Sequence, residues 1–503
     1  MRQTVGILGT PIDALDTKAV LDRMAQFIQE GQFHQIATAN TDFLINALED
    51  PELRYILRNA DLVMPDGMPL LWAAKMMRSP LPERVTGADI VPALAQLAAE
   101  NGYRVFMLGA KPEIAQKAKK RLEEQNPGLQ IVGCISPPLA KIVEMDSKSI
   151  LDEIQKARPD ILLVAFGNPK QEKWIHLHQE ALKDVSVCIG IGGTFDFIAG
   201  QISRAPMWMR KSGLEWLYRL GQEPKRLWKR YTKDIWQFGR YLLWQWSAVR
   251  HHVGAPMEMH SARVGDCTVL SLSGQLSQES LPCLQEAAEE ALQSRTHLIM
   301  DMQNVTGLDG SALGMLINLP KRAAFYSLDI SLVAVPLPIR KILHRSQLSY
   351  TAEMIAPSLA QALTNKHPVG LHWRVWSGET SAVIGVEGAA DHNTARNLES
   401  VCDRLLASGK KTDIDLRAIT YADVYLLSTL FRLEKRSREL EGRMRIIPGD
   451  TMRHLLNREK MTDIFILAQS PEMPPDAVEM TPYKQEIRRT GIQSAVHIEP
   501  ISV

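Results

Sequence analysis

The feature that most restricts the fold is a set of apolar runs that end on glycine and pass straight into helical periodicity. Arg104-Val105-Phe106-Met107-Leu108-Gly109 precedes a helical pattern over 111–124. The runs 161–167 and 187–193 repeat this form, and 35–40 ends a strand before an apolar helix through Phe43, Leu44 and Leu48. Uninterrupted apolar strands are buried on both faces, and glycine corners leading into helices are the mark of parallel crossover units. Residues 1–203 therefore predict a Rossmann-like α/β domain with a parallel, doubly covered sheet. Open sheets of this kind build their sites where strands end. The polar residues just past the strands are Thr38, Asn40, Asp66, Gly109, Asn168, Lys170, Gln171, Gly193, Thr194 and Asp196.

Asp66 stands out among these. The run Leu62-Val63-Met64-Pro65 climbs to Asp66 and turns at Gly67-Met68-Pro69, so a carboxylate is presented at the mouth of the sheet. A Pro-Asp-Gly surface turn is the alternative, since this is common turn chemistry. Each glycine corner could cradle a phosphate on its N–H groups or simply turn the chain. None matches GxGxxG or a P-loop.

Composition limits the class. The 503 residues carry 58 Lys and Arg against 57 Asp and Glu, and 45% of residues are hydrophobic, values ordinary for a globular chain of several domains. Cys134, Cys188, Cys267, Cys283 and Cys402 show no CxxC spacing, which points to a reducing, cytoplasmic setting and away from a disulfide framework or zinc site. His260, His344 and His372 lack ligand spacing as well. The apolar run before Asp13 is too short for a signal peptide, and no stretch reads as membrane-spanning.

Thr38-Ala39-Asn40, Pro65-Asp66-Gly67, Glu83-Arg84-Val85-Thr86-Gly87-Ala88-Asp89, Gly167-Asn168-Pro169-Lys170-Gln171-Glu172 and Gly192-Gly193-Thr194-Phe195-Asp196 occur in this order. With these spacings, residues 1–245 resemble the WecG/TagA/CpsF family of bacterial glycosyltransferases. The resemblance implies inverting transfer of a sugar from a UDP-sugar to a polyprenyl-diphosphate-linked acceptor, at the cytoplasmic face of the membrane. N-acetylmannosamine, its uronate or a related hexose is the implied sugar. It further implies that Thr38, Asn40 and Gln171 line the pocket around Asp66, and that Arg84 assists with charge or holds its loop. An inverting transfer needs one carboxylate to take the acceptor proton, which suits Asp66. It also needs donors for the departing diphosphate. Without a DxD-type motif, helix N-termini and cationic side chains would serve, so no metal or other cofactor is expected. Capping by Thr38 and Asn40 and a surface ion pair at Arg84 are the plainer alternatives.

Residues 204–250 hold eleven Lys and Arg, three acids and six of the ten tryptophans. At 100° per residue Leu227, Tyr231, Ile235, Phe238 and Leu242 share one face, opposite Lys225, Arg226, Lys229, Arg230, Lys233 and Arg240. A basic, Trp-rich amphipathic helix suits an anionic membrane surface, and its apolar stripe would equally suit the enzyme core. The resemblance makes this segment an appendage that brings arginines to the diphosphates, with Arg210, Arg219 and Arg226 as candidates. Nucleic acid is discounted as a partner, because no nucleic-acid fold accompanies the segment.

The remainder repeats itself. Gly274, Asp301 and Asp309 are echoed at the same spacing by Gly388, Asp415 and Asp423. Ile299-Met300-Asp301 followed by Val305-Thr306-Gly307-Leu308-Asp309-Gly310-Ser311-Ala312-Leu313-Gly314 resembles a STAS domain. That resemblance implies partner binding switched by phosphorylation at Ser311; an ordinary first-turn helix residue is the alternative. Tyr425 replaces the serine in the second copy, which argues for a structural or dimerising role there. The expected domains are 1–203, an appendage at 204–253, STAS-like modules at 257–366 and 370–472, and a tail at 473–503. Together these readings predict a peripheral membrane glycosyltransferase of bacterial exopolysaccharide or cell-surface glycan synthesis, with a protein partner for the STAS-like modules. A STAS-based signalling or scaffold protein with an inactive enzyme half is the competing reading.

Overall fold

The computed structural model describes residues 2–480 except 139, 207, 210–213, 223, 250–254, 327, 347, 349–354, 357–358, 360–361, 363–370, 391, 423, 441–443, 459–460 and 463. The chain forms two compact units, residues 1–369 and 370–503.

The first unit opens with a hairpin of β1 (Thr4–Ile7) and β2 (Thr10–Asp13). The strands β3 (His34–Ala39), β4 (Leu62–Pro65), β5 (Arg104–Gly109), β6 (Gln130–Ile135), β7 (Ile161–Ala165) and β8 (Val187–Gly190) then form one sheet of order β4-β3-β8-β7-β5-β6. Every pairing in it is parallel. Alternate residues serve opposite faces. Val105, Met107, Ile161 and Leu163 enter one buried cluster, while Phe106, Leu108, Leu162 and Val164 enter another. This double burial is why these strands read as continuous apolar runs.

Two helices follow, Glu215–Gln222 and Pro224–Val249. The long one lies against the helices Thr41–Glu49 and Leu337–Arg345. Of the stripe read from the sequence, Phe238 and Leu242 are buried in the body, whereas the side chains of Leu227, Tyr231 and Ile235 lie outside the described residues. The opposite arc exposes Trp228, Trp236 and Leu243 together with Arg240. The described part of the stripe is thus used for docking, while Trp228 and Trp236 face outward with Arg240. Among the described residues, no helix is long and apolar enough to cross a membrane.

The first STAS-like module has strands β9 (Glu258–Val264), β10 (Cys267–Leu276), β11 (His297–Leu308), β12 (Ile330–Val333) and β13 (Ile355–Ala356) in the order β13-β12-β11-β10-β9. It packs directly on the N-terminal domain. One hydrophobic cluster joins Val5, Ile7, Ala37, Ala39 and Val63 of the N-terminal domain to Leu270, Leu298, Leu313 and Leu316 of the module. The joint is a near-contact of backbones. A Cβ on Gly6 would lie 2.8 Å from the Leu313 Cβ, and one on Gly314 would collide with the Thr4 carbonyl. Gln245, fully buried, ties three parts together. Its Oε1 accepts from the Leu8 N–H (3.0 Å), and its Nε2 donates to the Gly6 carbonyl (3.0 Å) and Ser346 Oγ (3.1 Å).

The second unit has strands β14 (Leu371–Ser377), β15 (Ser381–Ala390), β16 (Lys411–Ala422), β17 (Met444–Pro448) and β18 (Val478–Met480), in the order β17-β16-β15-β14-β18. It repeats the first module down to single contacts. Register shifts fall between Ser271 and Ser273 in one and between Gly385 and Glu387 in the other. Arg322–Glu289 has its counterpart in Arg436–Asp403. Arg340 Nε donates to the Val335 carbonyl (3.1 Å) as Arg453 Nε does to that of Pro448 (3.2 Å). Asp423 and the side chain of Tyr425 lie outside the described residues.

Candidate active site

The carboxyl ends of β4, β3, β8 and β7 build the site. The Asp66 N–H continues the ladder past β4 by donating to the Ala39 carbonyl (2.7 Å). Gly67 follows at φ 138° and ψ 144°, a backbone conformation that L side chains rarely adopt, and starts the helix Met68–Met76. Asp66 is thereby thrust out between strand and helix. Its carboxylate accepts no hydrogen bond among the described residues. Burial pushes its pKa up to about 6, while Arg84 and Arg219 pull the other way.

A charge network surrounds it. Arg84 ion-pairs with Glu215 (2.6 Å) and lies 3.8 Å from Asp89. Arg204 grips Asp89 with both terminal nitrogens, at 2.6 and 3.2 Å. Thr86 Oγ1 donates to the same carboxylate (2.6 Å) and accepts from the Asp89 N–H. Arg219 lies over the Phe197 ring, and its buried Nε meets no acceptor among the described residues. Glu215 and Arg219 belong to the helix Glu215–Gln222, so the appendage is drawn onto the site by ions. Arg210 and the side chain of Arg226 lie outside the described residues.

Several residues nominated from the sequence are spent on the scaffold. Thr38 is buried and its Oγ1 donates to the Gly190 carbonyl (2.9 Å), bracing β3 to β8. Asn40 caps the helix Thr41–Glu49 by accepting from the Phe43 N–H (3.2 Å). Gln171 is fully buried. Its Oε1 accepts from the N–H groups of Gly167 (3.1 Å) and Gly192 (2.9 Å), and its Nε2 donates to Glu172 (2.8 Å). Thr38 thus braces β3 to β8, and Gln171 holds the turns after β7 and β8. Asn168 Nδ2 donates to Asp42 (3.2 Å), and Lys170 Nζ donates to the Ala140 carbonyl (2.5 Å). Thr194 Oγ1 donates to the Ile191 carbonyl (2.7 Å), and a Cβ on Gly87 would lie 2.7 Å from Thr194 Oγ1. Gly193 caps the helix Thr194–Ile198 with Asp196 in its first turn. Gly109 turns at φ 106°, where a Cβ would meet the Ala165 carbonyl at 2.7 Å.

Ser311 is buried against the N-terminal domain, and its N–H donates to Ser79 Oγ (2.8 Å).

The residues that were not nominated are Glu172, Asp89, Arg204 and Glu215. Gln171, Glu172 and Lys173 are three polar residues in a row, and all three are buried. A Cβ on Gly190 would fall on Glu172 Oε1 and lie 2.5 Å from Gln171 Nε2, so the absent side chain makes their room. The open groove beside Arg104, Asp152, Gln155, Lys156 and Arg158 begins at the start of β5, on the opposite edge, and shares no residue with this cluster. Among the described residues, no group of three His, Cys, Asp or Glu is arranged to hold a metal ion.

Glu172 provides a test of this packing. Burial raises its pKa from 4.5 to about 8, so it is neutral in the folded protein at pH 7. The folded value lies above the unfolded one, so its stability contribution is complete below pH 4.5 and is lost as pH rises through about 8. Glu172→Gln keeps the neutral shape without the titration. Denaturant unfolding is expected to give equal stabilities near pH 4.5 and, at pH 8, a variant more stable than wild type by at least about 1 kcal/mol. Parallel pH profiles for the two proteins contradict a buried neutral acid.

The description of the glycosyl transferase WecG/TagA/CpsF family matches residues 5–252, and that of the Mlab, STAS domain matches residues 259–355. Among relatives, a protein of Bacillus spizizenii is 31% identical over 226 residues, which are 44% of this chain and 85% of its own. One of Bacillus subtilis is 32% identical over 195 residues (39% and 73%), and one of Staphylococcus aureus 26% over 225 (44% and 86%). All three are named N-acetylglucosaminyldiphosphoundecaprenol N-acetyl-beta-D-mannosaminyltransferase. With its motifs gathered on one sheet edge around Asp66, and with relatives of this identity matched over most of their length, the chain belongs to the WecG/TagA/CpsF family of glycosyltransferases, carrying a STAS domain behind the enzyme.

Proposed function

We propose that the protein transfers N-acetylmannosamine, or a closely related hexose, from a UDP-sugar to an N-acetylglucosaminyl-diphosphate-linked polyprenol, with inversion at the anomeric carbon. The reading rests on one observation: Asp66 is an unengaged carboxylate beside Arg84 and Arg219 at the carboxyl edge of the sheet. In the transfer, Asp66 takes the proton of the acceptor hydroxyl as the oxygen attacks the anomeric carbon. The bond to UDP breaks on the far side, and the electron pair leaves with the diphosphate. Arg219, with an uncommitted Nε, is the cation best able to meet that charge, while Arg84 and Arg204 fix the carboxylates around it. This division of labour needs no metal.

The membrane surface is the second part of the proposal. Trp228, Trp236 and Leu243 lie exposed on one arc of the helix Pro224–Val249. Tryptophan and Arg or Lys on one face suit the headgroup layer, where a lipid-linked acceptor presents its diphosphate. The protein would then work as a peripheral enzyme on the cytoplasmic face. The names of the relatives support a lipid-linked acceptor.

Two measurements test these assignments. UDP release should depend on a polyprenyl-diphosphate-GlcNAc acceptor and should fall on the order of 10²–10⁴-fold in Asp66→Asn. Because the base works ionised, wild-type activity should decline as pH drops through about 6. Activity of Asp66→Asn within tenfold of wild type rejects the base, and absence of turnover with any UDP-sugar favours the scaffold reading. For the surface, a Trp228→Ala/Trp236→Ala protein should lose most of its sedimentation with phosphatidylglycerol-rich vesicles. Unchanged sedimentation removes the outward arc from the account.

A further inference from the structure

The helix Met68–Met76 has Asp66 and Gly67 at one end and the turn at residues 77–79 at the other. That second end is held by the STAS domain. The Gly310 N–H donates to the Met77 carbonyl (3.0 Å), and the Ser311 N–H donates to Ser79 Oγ (2.8 Å). The Ser79 hydroxyl donates to the Met77 carbonyl (3.4 Å) and lies close enough to the Asp309 carboxylate to favour its anion. Asp309 caps its own helix, Gly310–Phe325, through the Ala312 N–H (2.8 Å). Ser79 is completely buried. Between them, Arg78 takes φ 60°, a left-handed conformation that a non-glycine residue keeps only when its surroundings enforce it.

The same contact is closed sterically. A Cβ on Gly310 would lie 2.8 Å from the Met77 Cβ and 2.9 Å from the Val5 Cγ1, so Gly310 admits no side chain without pushing the two elements apart. Leu70, Ala73, Ala74 and Met77 join the cluster that also contains Ala312, Leu313 and Leu316. A helix of nine residues spans about 13 Å and moves as a rigid body. Fixing its last turn and its buried face fixes its first turn, where Asp66 enters.

We propose that the STAS domain is a working part of the transfer site, with Ser79 and Asp309 acting as positioning residues that hold Asp66 through the Met68–Met76 helix. The proposal rests on the reading of Asp66 as the base. It assigns the helix start at Gly310 an internal partner, the turn at 77–79 of the same chain, in place of a separate protein. Correct placement of a catalytic group is worth large factors in rate, and a displacement of about 1 Å costs on the order of 10²-fold. The donor diphosphate, by contrast, is met by the arginines, which do not touch this joint.

The test uses the full chain with Ser79→Ala, which deletes the hydroxyl and adds no volume, and Gly314→Val, which drives a side chain onto the Thr4 carbonyl. Phe325→Ala, at an exposed position in the last turn of the same helix, is the control. For each variant that retains the wild-type circular dichroism, kcat for acceptor-dependent UDP release is expected to fall at least about tenfold. KM for the UDP-sugar should stay within about twofold, because that site is left intact. The acidic limb of the pH profile should move below about 6, toward an ordinary carboxylate, as Asp66 becomes better solvated. The control should match wild type. A folded Ser79→Ala protein with wild-type kcat and pH profile overturns the proposal, and it does so even if Gly314→Val fails to fold. The base assignment fails separately, through an active Asp66→Asn.

Discussion

The backbone of β1 runs so close to the helix Gly310–Phe325 that neither Gly6 nor Gly314 can carry a side chain. Much of the rest of the first unit depends on this contact. It lets one apolar cluster pass from β3 and β4 through the hairpin into the STAS domain, so enzyme and appended module bury surface together. The Asp13 carboxylate accepts from the Val63 N–H (2.6 Å) and pairs with Arg2, which fastens the hairpin to β4. Gln245 then pins the long helix to both sides. The start of the helix Gly310–Phe325 bonds its own chain, at Met77 and Ser79.

Opposed forces meet at Asp66. Removal from water favours its neutral form, and Arg84 and Arg219 favour the anion. Arg84 is shared with Glu215 and Asp89, so the cluster carries compensated charge. Because Glu215 and Arg219 come from the helix Glu215–Gln222, the site is complete only with the appendage in place. Ion pairs of this kind respond to an anionic ligand far more than apolar packing does.

The sheet was legible because its strands are buried on both faces and must break at glycine to turn into helices. The duplication was legible because Gly274, Asp301 and Asp309 recur at the same spacing as Gly388, Asp415 and Asp423. The choice of helix face was not. Phe238 and Leu242 form a stripe that suits either a membrane or a core, and only packing against the helix Leu337–Arg345 decides between them. Burial of Gln171, Glu172 and Lys173 was equally hidden, since three polar residues in a row have the pattern of a solvated surface. Ser311 carried the signature of a switch. Its N–H bond to Ser79, more than 200 residues away, was hidden, since no local pattern reports a contact of that range.

The central claim, that enzyme and STAS domain form one structural body, is tested most directly by amide hydrogen exchange at Gly310 and Ser311 in the full-length protein. Both N–H groups are donated across the joint, to the Met77 carbonyl and Ser79 Oγ. They are expected to exchange as slowly as the β3 and β4 amides, through the same cooperative opening. Rapid exchange of this pair while β3 and β4 remain protected would contradict the account.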